Sequence, residues 1–235
     1  VFLYSSLKGL QLGQVWHAVR TANYWWLIPG IAVYFLAVWA RTWRWHYLLR
    51  PVKAISLRRL FPVVVIGYMG NNVYPARAGE VIRAYVLKRK ESVDISVSLA
   101  TIVVERIFDG VVMLFFVFVA LPFAPLPEGL RPVVVLASIV FFGLLLAFFA
   151  VAAVPRRAQA IYTWAIRRLL PARWQGRVLG VLDHFMEGLR CLRRPADVGM
   201  IFLTSVAAWL IETVQYWFVM QGFGFSVPFI ALLFM

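Results

Sequence analysis

Long apolar runs, broken by short clusters of arginine and lysine, set the pattern of this chain. Residues 24–40 make the first run, with Trp25 and Trp26 at one end and Trp39, Trp43 and Trp45 at the other. Tryptophan at both ends of an apolar run suits the two water interfaces of a bilayer. Ahead of it, residues 1–23 are mildly amphipathic: Leu3, Leu7, Leu10 and Gln14 are helically spaced, and Lys8 and Arg20 are the only charges. This predicts a helix lying at the interface. Residues 41–59 then carry Arg41, Arg44, Arg50, Lys53, Arg58 and Arg59 with no acid, which reads as a cytoplasmic loop.

The next run, residues 60–74, is too short to cross. Fifteen helical residues reach about 22 Å against a hydrocarbon core of about 30 Å. It ends in Asn71-Asn72, followed by Pro75 and Gly79, and a second helical run over 78–90 leads into Lys88-Arg89-Lys90. With basic flanks on both sides, residues 60–90 predict a re-entrant helical hairpin that turns near 71–77. Such a hairpin is allowed where protein or water satisfies the broken backbone. A kinked full crossing is the alternative.

Residues 93–123 are long enough to cross with tilt, and one face is polar. Asp94, Ser98, Thr101, Glu105 and Asp109 recur at helical intervals, with Arg106 within pairing reach of Asp109. The loop 122–131 suits the outside, and 132–154 is an uncharged span facing lipid. Residues 155–197 hold nine arginines against three acids. There Trp174, Val178, Val181, Phe185, Leu189 and Leu192 trace an apolar face, which predicts an amphipathic helix on the anionic cytoplasmic leaflet. A further span over 198–222 carries Glu212 and Gln215, and another begins at 227.

Every strongly basic segment then falls on one side. The fold expected is all-α: a polytopic helical membrane bundle, residues 1–235 forming one transmembrane unit and 155–197 a basic segment within it. The chain opens on Val1 and stops at Met235 inside an apolar run, as expected of a piece lacking at least one further C-terminal membrane segment.

Composition agrees. The chain is 63% hydrophobic and 14% charged, where a soluble domain averages about 25% charged residues. Its net charge of +14 would suggest nucleic acid in a soluble protein. Here most of the 24 lysines and arginines lie in short loops between apolar runs, as the positive-inside bias predicts, so no nucleic acid is expected. Cys191 is the one cysteine and cannot form an internal disulfide. His17, His46 and His184 lack metal-ligand spacing and read as packing residues. No H-E-x-x-H, G-x-S-x-G or Walker glycine loop is present, so no metal, cofactor or catalytic residue is expected.

The candidate chemistry lies in residues 67–109. Arg77, Arg83 and Arg106 balance Glu80, Glu105 and Asp109, three charges against three. As structural pairs they would dock the hairpin on the third span, because buried charges need partners. As a binding site, the guanidinium forks match phosphate oxygens, and the helix starting near Ala78 would direct its free N–H groups into the turn. Asn71, Asn72 and Pro75 would shape that turn. Thr101, with Ser98, either lines a polar path or bonds a neighbouring helix. Glu212 either completes the cavity or pairs with an arginine. A carboxylate pair at Glu105 and Asp109 would suit an intramembrane transferase, but Arg106 beside it points to charge neutralisation instead.

The residues Gly67, Gly70, Asn71-Asn72, Pro75-Ala76-Arg77-Ala78-Gly79-Glu80, Arg83, Ala100-Thr101, Glu105-Arg106 and Asp109 resemble the lysylphosphatidylglycerol synthase/flippase transmembrane family. This is the membrane half of multiple-peptide-resistance factors and their stand-alone relatives. With Arg44-Trp45 and residues 209–212 the resemblance covers most of the chain. It implies an all-helical bundle with re-entrant helices that moves aminoacylated phosphatidylglycerol between leaflets, or that serves envelope-lipid or polyprenyl-linked glycan pathways. A Pro/Gly-rich P-G-G-x-G-type segment and the soluble aminoacyl-transferase domain are not found in these residues, so aminoacyl-lipid synthesis is not implied.

The expected function is a multi-pass plasma-membrane lipid flippase or transporter. It would bind an anionic, aminoacylated or polyprenyl-phosphate-linked lipid through Asn71, Asn72, Pro75, Arg77, Glu80, Arg83, Thr101, Glu105, Arg106, Asp109 and Glu212. A scaffold presenting the lipid to a partner glycosyl- or aminoacyl-transferase is the second reading, and a homo-oligomer is compatible with either.

Overall fold

The computed structural model describes residues 12–120, 155–169, 171–225 and 229–232, with scattered positions between 132 and 146. All regular structure among the described residues is helical. It comprises α1 (Leu12–Thr21), α2 (Leu27–Leu49), α3 (Leu57–Val73), α4 (Ala78–Glu91), α5 (Ile95–Ala120), α6 (Pro155–Leu169), α7 (Ala172–Gly188) and α8 (Pro195–Gly222), with a short turn of helix at Phe229–Leu232. Residues 1–11 of the expected interfacial helix, the 122–131 loop and most of the 132–154 span lie outside the described residues. So do 226–228, where the last span was expected to begin.

Two described helical segments are long and apolar enough to cross a membrane, Tyr24–Leu49 and Pro195–Gly222. At 23 and 28 residues, α2 and α8 measure about 34 and 42 Å. They pack side by side over their length. At one end the Asn23 amide donates to the Gly222 carbonyl at 2.8 Å, and Trp26 meets Trp217 edge-on with ring centroids 6.1 Å apart. The third long helix, α5, has 26 residues and contacts α2, α4, α7 and α8. Between them lies the apolar core, in which Trp45, Leu48, Leu60, Val104 and Ile201 are fully buried.

One end of the bundle collects the basic segments. Arg50 at the end of α2 pairs with Asp197 at the start of α8 at 3.5 Å, and Lys53 pairs with Glu91 at the end of α4 at 3.2 Å. Lys88 and His184 both stand 3.6 Å from Asp94, just ahead of α5. Asp197 also lies in the first turn of its helix, where the macrodipole favours a carboxylate.

The α3–α4 pair is an antiparallel hairpin that leaves this basic end and returns to it. With 17 and 14 residues, its arms reach only about 25 and 21 Å. The turn is tighter than the sequence suggested. Asn71 and Asn72 belong to the last helical turn of α3, and the reversal is confined to residues 74–77. There Ala76 and Arg77 take left-handed backbone angles, φ 58° and 55°, a costly state for residues with a Cβ. Close contact between the arms holds that turn in place. A Cβ on Gly79 would fall 1.9 Å from the Gly67 carbonyl oxygen and 2.5 Å from the Asn71 amide, and one on Gly70 would fall 2.9 Å from Gly79 Cα. Small residues at these three positions let the two backbones touch.

One further expectation needs correction. The first span does not end near Ala40: α2 continues to Leu49, so Arg41 and Arg44 stand on a helix inside the protein and not in a loop. No helix breaker separates residues 40 and 49, and buried acids on other helices supply the partners those arginines need. The apolar face expected over 174–192 falls on α7, whose N-cap is Pro171, and on the 3-10 turn over Leu189–Arg193 that follows it. Of that face, Leu189 is buried and Phe185 and Leu192 pack on the core, while Trp174 and Val181 are exposed.

Gly79→Ala is expected to force the hairpin arms apart and cost about 1–3 kcal/mol or more, the range for overpacking a tight contact. Gly199→Ala, in open space, should leave stability unchanged. Thermal unfolding in detergent compares the two, and equal midpoints would refute the close-packed seam.

Candidate functional site

The polar residues of α5 meet arginines from two other helices in a buried ion cluster. Arg44, on the inner face of α2, is 1% exposed. Its Nη2 donates to Glu105 Oε1 at 2.6 Å, and its Nη1 donates to Asp109 Oδ1 at 2.5 Å and to Ser205 Oγ at 3.1 Å. Arg83, on α4, donates to the other Glu105 oxygen at 2.8 Å and lies over the Trp45 ring, 4.4 Å from its centroid. Glu105 itself is 0% exposed. A carboxylate so deeply buried stays charged only with cations on both oxygens, and here each oxygen has one.

The α5 stripe exists, but it faces protein. Thr101 accepts a hydrogen bond from Trp45 Nε1 at 3.0 Å and donates to the Ser98 carbonyl at 2.7 Å. Both side chains are fully buried, and the Thr101–Trp45 bond ties α5 to α2. Trp209, on α8, donates to Asp109 at 3.2 Å. Glu212 pairs with Arg41 of α2. The cluster thus joins α2, α4, α5 and α8.

Towards the hairpin the pairing loosens. Arg106 is the most exposed arginine of the cluster, at 39% of its side chain. It stands 3.2 Å from Asp109, 3.5 Å from Glu105 and 3.3 Å from Glu80 on α4. Glu80 and Arg106 are within charge-pairing distance, yet neither Glu80 Oε1 nor Arg106 Nε completes a hydrogen bond. Asn71 Oδ1 and Arg83 Nε are likewise buried without a partner. These four side chains, with Gly67, Gly79 and Tyr68, surround a cavity of about 10 Å³, room for roughly one water.

Of the residues singled out from the sequence, Asn71, Glu80, Arg83, Glu105, Arg106 and Asp109 therefore come together. Thr101 lies beside them in the packed seam, and Glu212 lies one pair away. Asn72, Pro75 and Arg77 are exposed at the hairpin tip, and Arg77 forms no ion pair among the described residues. Sequence reasoning passed over Arg41 and Arg44 as site residues, taking them for loop charges. Their spacing of three, on the helical phase of a continuous apolar segment, is the signal that marks them as one buried face.

Arg44→Met is expected to cost about 3–5 kcal/mol, because it strands carboxylates that remain buried. Arg44→Lys should recover less than half of that loss, since an ammonium cannot span Glu105 and Asp109 as the planar fork does. Denaturant unfolding in detergent measures both, and wild-type stability for the methionine variant would mean that the cluster does not hold the bundle.

The lysylphosphatidylglycerol synthase TM region matches this chain over residues 1–235. A UPF0104 membrane protein of Methanothermobacter thermautotrophicus is 23% identical over 234 residues, covering 94% of this chain and 69% of its own length. Glycosyltransferase AglD of Haloferax volcanii is 25% identical over 232 residues, 88% of this chain but only 37% of that protein. UPF0104 membrane protein MJ1078 of Methanocaldococcus jannaschii is 22% identical over 160 residues, 67% of this chain and 62% of its own. The chain thus spans between about a third and two thirds of the length of these relatives. No solved structure matches it. Helical throughout the regular structure of its described residues, with helices able to span a bilayer, and matched end to end by one membrane-family description, the chain belongs to the lysylphosphatidylglycerol synthase transmembrane-region family.

Proposed function

We propose that this membrane protein binds the phosphate-bearing head group of a lipid between the α3–α4 hairpin and α5, and carries it between the leaflets of the plasma membrane. The observation behind this reading is the uneven pairing of the ion cluster. Arg44 and Glu105 are sealed, whereas Arg106 is partly open and faces Glu80 across a small cavity with unsatisfied polar atoms. Guanidinium groups held this way suit a phosphodiester. A short hairpin with both ends at the basic side suits a re-entrant element at membrane depth, where broken helices hold anionic groups in transporters. Arg77, free of ion pairs at the tip, would meet the head group first, with Asn71, Asn72 and Pro75 beside it.

In this reading Arg83 and Arg106 hold phosphate, while Glu80, Glu105 and Asp109 set the charge balance. Thr101 and Glu212 support the walls. A cavity of one-water size means that the hairpin must move from α5 before a head group enters. Movement would be downhill or coupled to an ion gradient, and the protein itself would do no covalent chemistry.

A second reading rests on the relative named Glycosyltransferase AglD: the same cleft would present a lipid to a partner transferase without moving it. Proteoliposomes carrying fluorescent anionic, zwitterionic and aminoacylated lipids separate the two. Head-group-selective leaflet exchange, reduced about tenfold or more in Arg106→Gln, is the expected result. Lipid binding without exchange would overturn translocation and favour presentation. Neither binding nor exchange would reduce the cluster to a structural role.

A further inference from the structure

The α6–α7 pair takes no part in the ion cluster, yet its outer face is built in an unusual way. On α6, Tyr162 and Ile166 turn towards α7: Ile166 is buried, and the Tyr162 hydroxyl donates to Asp183 of α7 at 2.6 Å. Gln159 Nε2 donates to the same carboxylate oxygen at 3.2 Å. Away from α7, Ile161 and Trp164 are 67% and 63% exposed. The Arg168 guanidinium lies over the Trp164 ring at 5.6 Å, and on α7 Arg177 lies over Trp174 at 5.4 Å. Along the face of α6, Gln159, Thr163, Trp164, Arg167 and Arg168 line an open groove of about 740 Å³.

The two acids of this pair are drawn away from that face. Asp183 is engaged by Tyr162 and Gln159, and Glu187 faces Arg190 at 3.5 Å. Arg167, Arg168, Arg173 and Arg177 are left without an ion pair among the described residues. Unpaired guanidiniums beside exposed tryptophan and isoleucine suit one medium best: a surface apolar below and anionic at head-group level. The position fits, since His184 of α7 stands 3.6 Å from Asp94 at the basic end of the bundle.

We propose that the α6–α7 pair lies on the membrane surface at this basic end and holds anionic phospholipid head groups, Ile161 and Trp164 entering the apolar layer while Arg167 and Arg168 bind the phosphates. This surface is separate from the α3–α5 cleft and stands whether or not that cleft moves lipid.

The test uses the whole chain in phosphatidylcholine nanodiscs, with Ile161→Cys carrying a bimane label. The native Cys191 is fully buried and its thiol is pushed up to about 12 by that burial, so it does not compete for the label. Brominated phosphatidylglycerol and brominated phosphatidylcholine, at equal mole fraction, serve as quenchers. Several-fold stronger quenching by the anionic lipid is expected, falling towards parity in Arg167→Gln/Arg168→Gln and, for the unaltered arginines, in high salt. Trp164→Ala should weaken quenching by both lipids together. Equal quenching by the two lipids at low salt would overturn head-group recognition. No quenching by either would overturn insertion of this face. The salt series needs no arginine variant, so misfolding of the double variant leaves the test intact.

Discussion

The guanidinium of Arg44, bridging Glu105 and Asp109 in a fully packed interior, is the interaction on which the rest of the structure depends. A buried carboxylate or guanidinium without a partner costs several kcal/mol, and a well-made pair roughly cancels that cost without a large surplus. The gain is geometric. Arg41 and Arg44 on α2, Arg83 on α4 and Arg106 on α5 face Glu80 on α4, Glu105 and Asp109 on α5 and Glu212 on α8. Four charges meet four, and only one register of these helices brings them together. The Arg41–Glu212 pair and the Arg44–Ser205 hydrogen bond add to the apolar packing in fixing α2 against α8.

Exposure rises steadily outward from Arg44. Arg83 is nearly sealed, Arg106 is partly open and Arg77 at the hairpin tip is exposed. The interior end is thus a closed frame, and in the proposed function the hairpin end is where a ligand would compete for a guanidinium. Tight glycine contacts hold α3 and α4 together as a unit, so the hairpin is suited to shift as one body against α5. The strained angles at Ala76 and Arg77 sit at its tip, where backbone strain is commonly stored at functional turns.

Much of this was legible in the sequence. The helical phase of Ser98, Thr101, Glu105 and Asp109 identified one polar face, and Asn71-Asn72, Pro75 and Gly79 marked where a helix must reverse. What the stripe faces was not legible, because periodicity gives a face and not its neighbour. That Thr101 bonds a neighbouring helix was legible, but not that the partner is Trp45 of α2. Arg41 and Arg44 were misplaced for a related reason: local charge argued for a loop, and the acids that bury them lie 61 to 171 residues away in sequence.

The central claim is that a lipid phosphate competes with Glu80 for Arg106. A double-mutant cycle of Arg106→Gln and Glu80→Gln, read as phospholipid retained by the purified protein in native mass spectrometry, tests it most directly. If phosphate competes with Glu80, Glu80→Gln raises retention, Arg106→Gln lowers it, and Glu80→Gln has no effect once Arg106 is gone. Independent, additive effects of the two substitutions would contradict it.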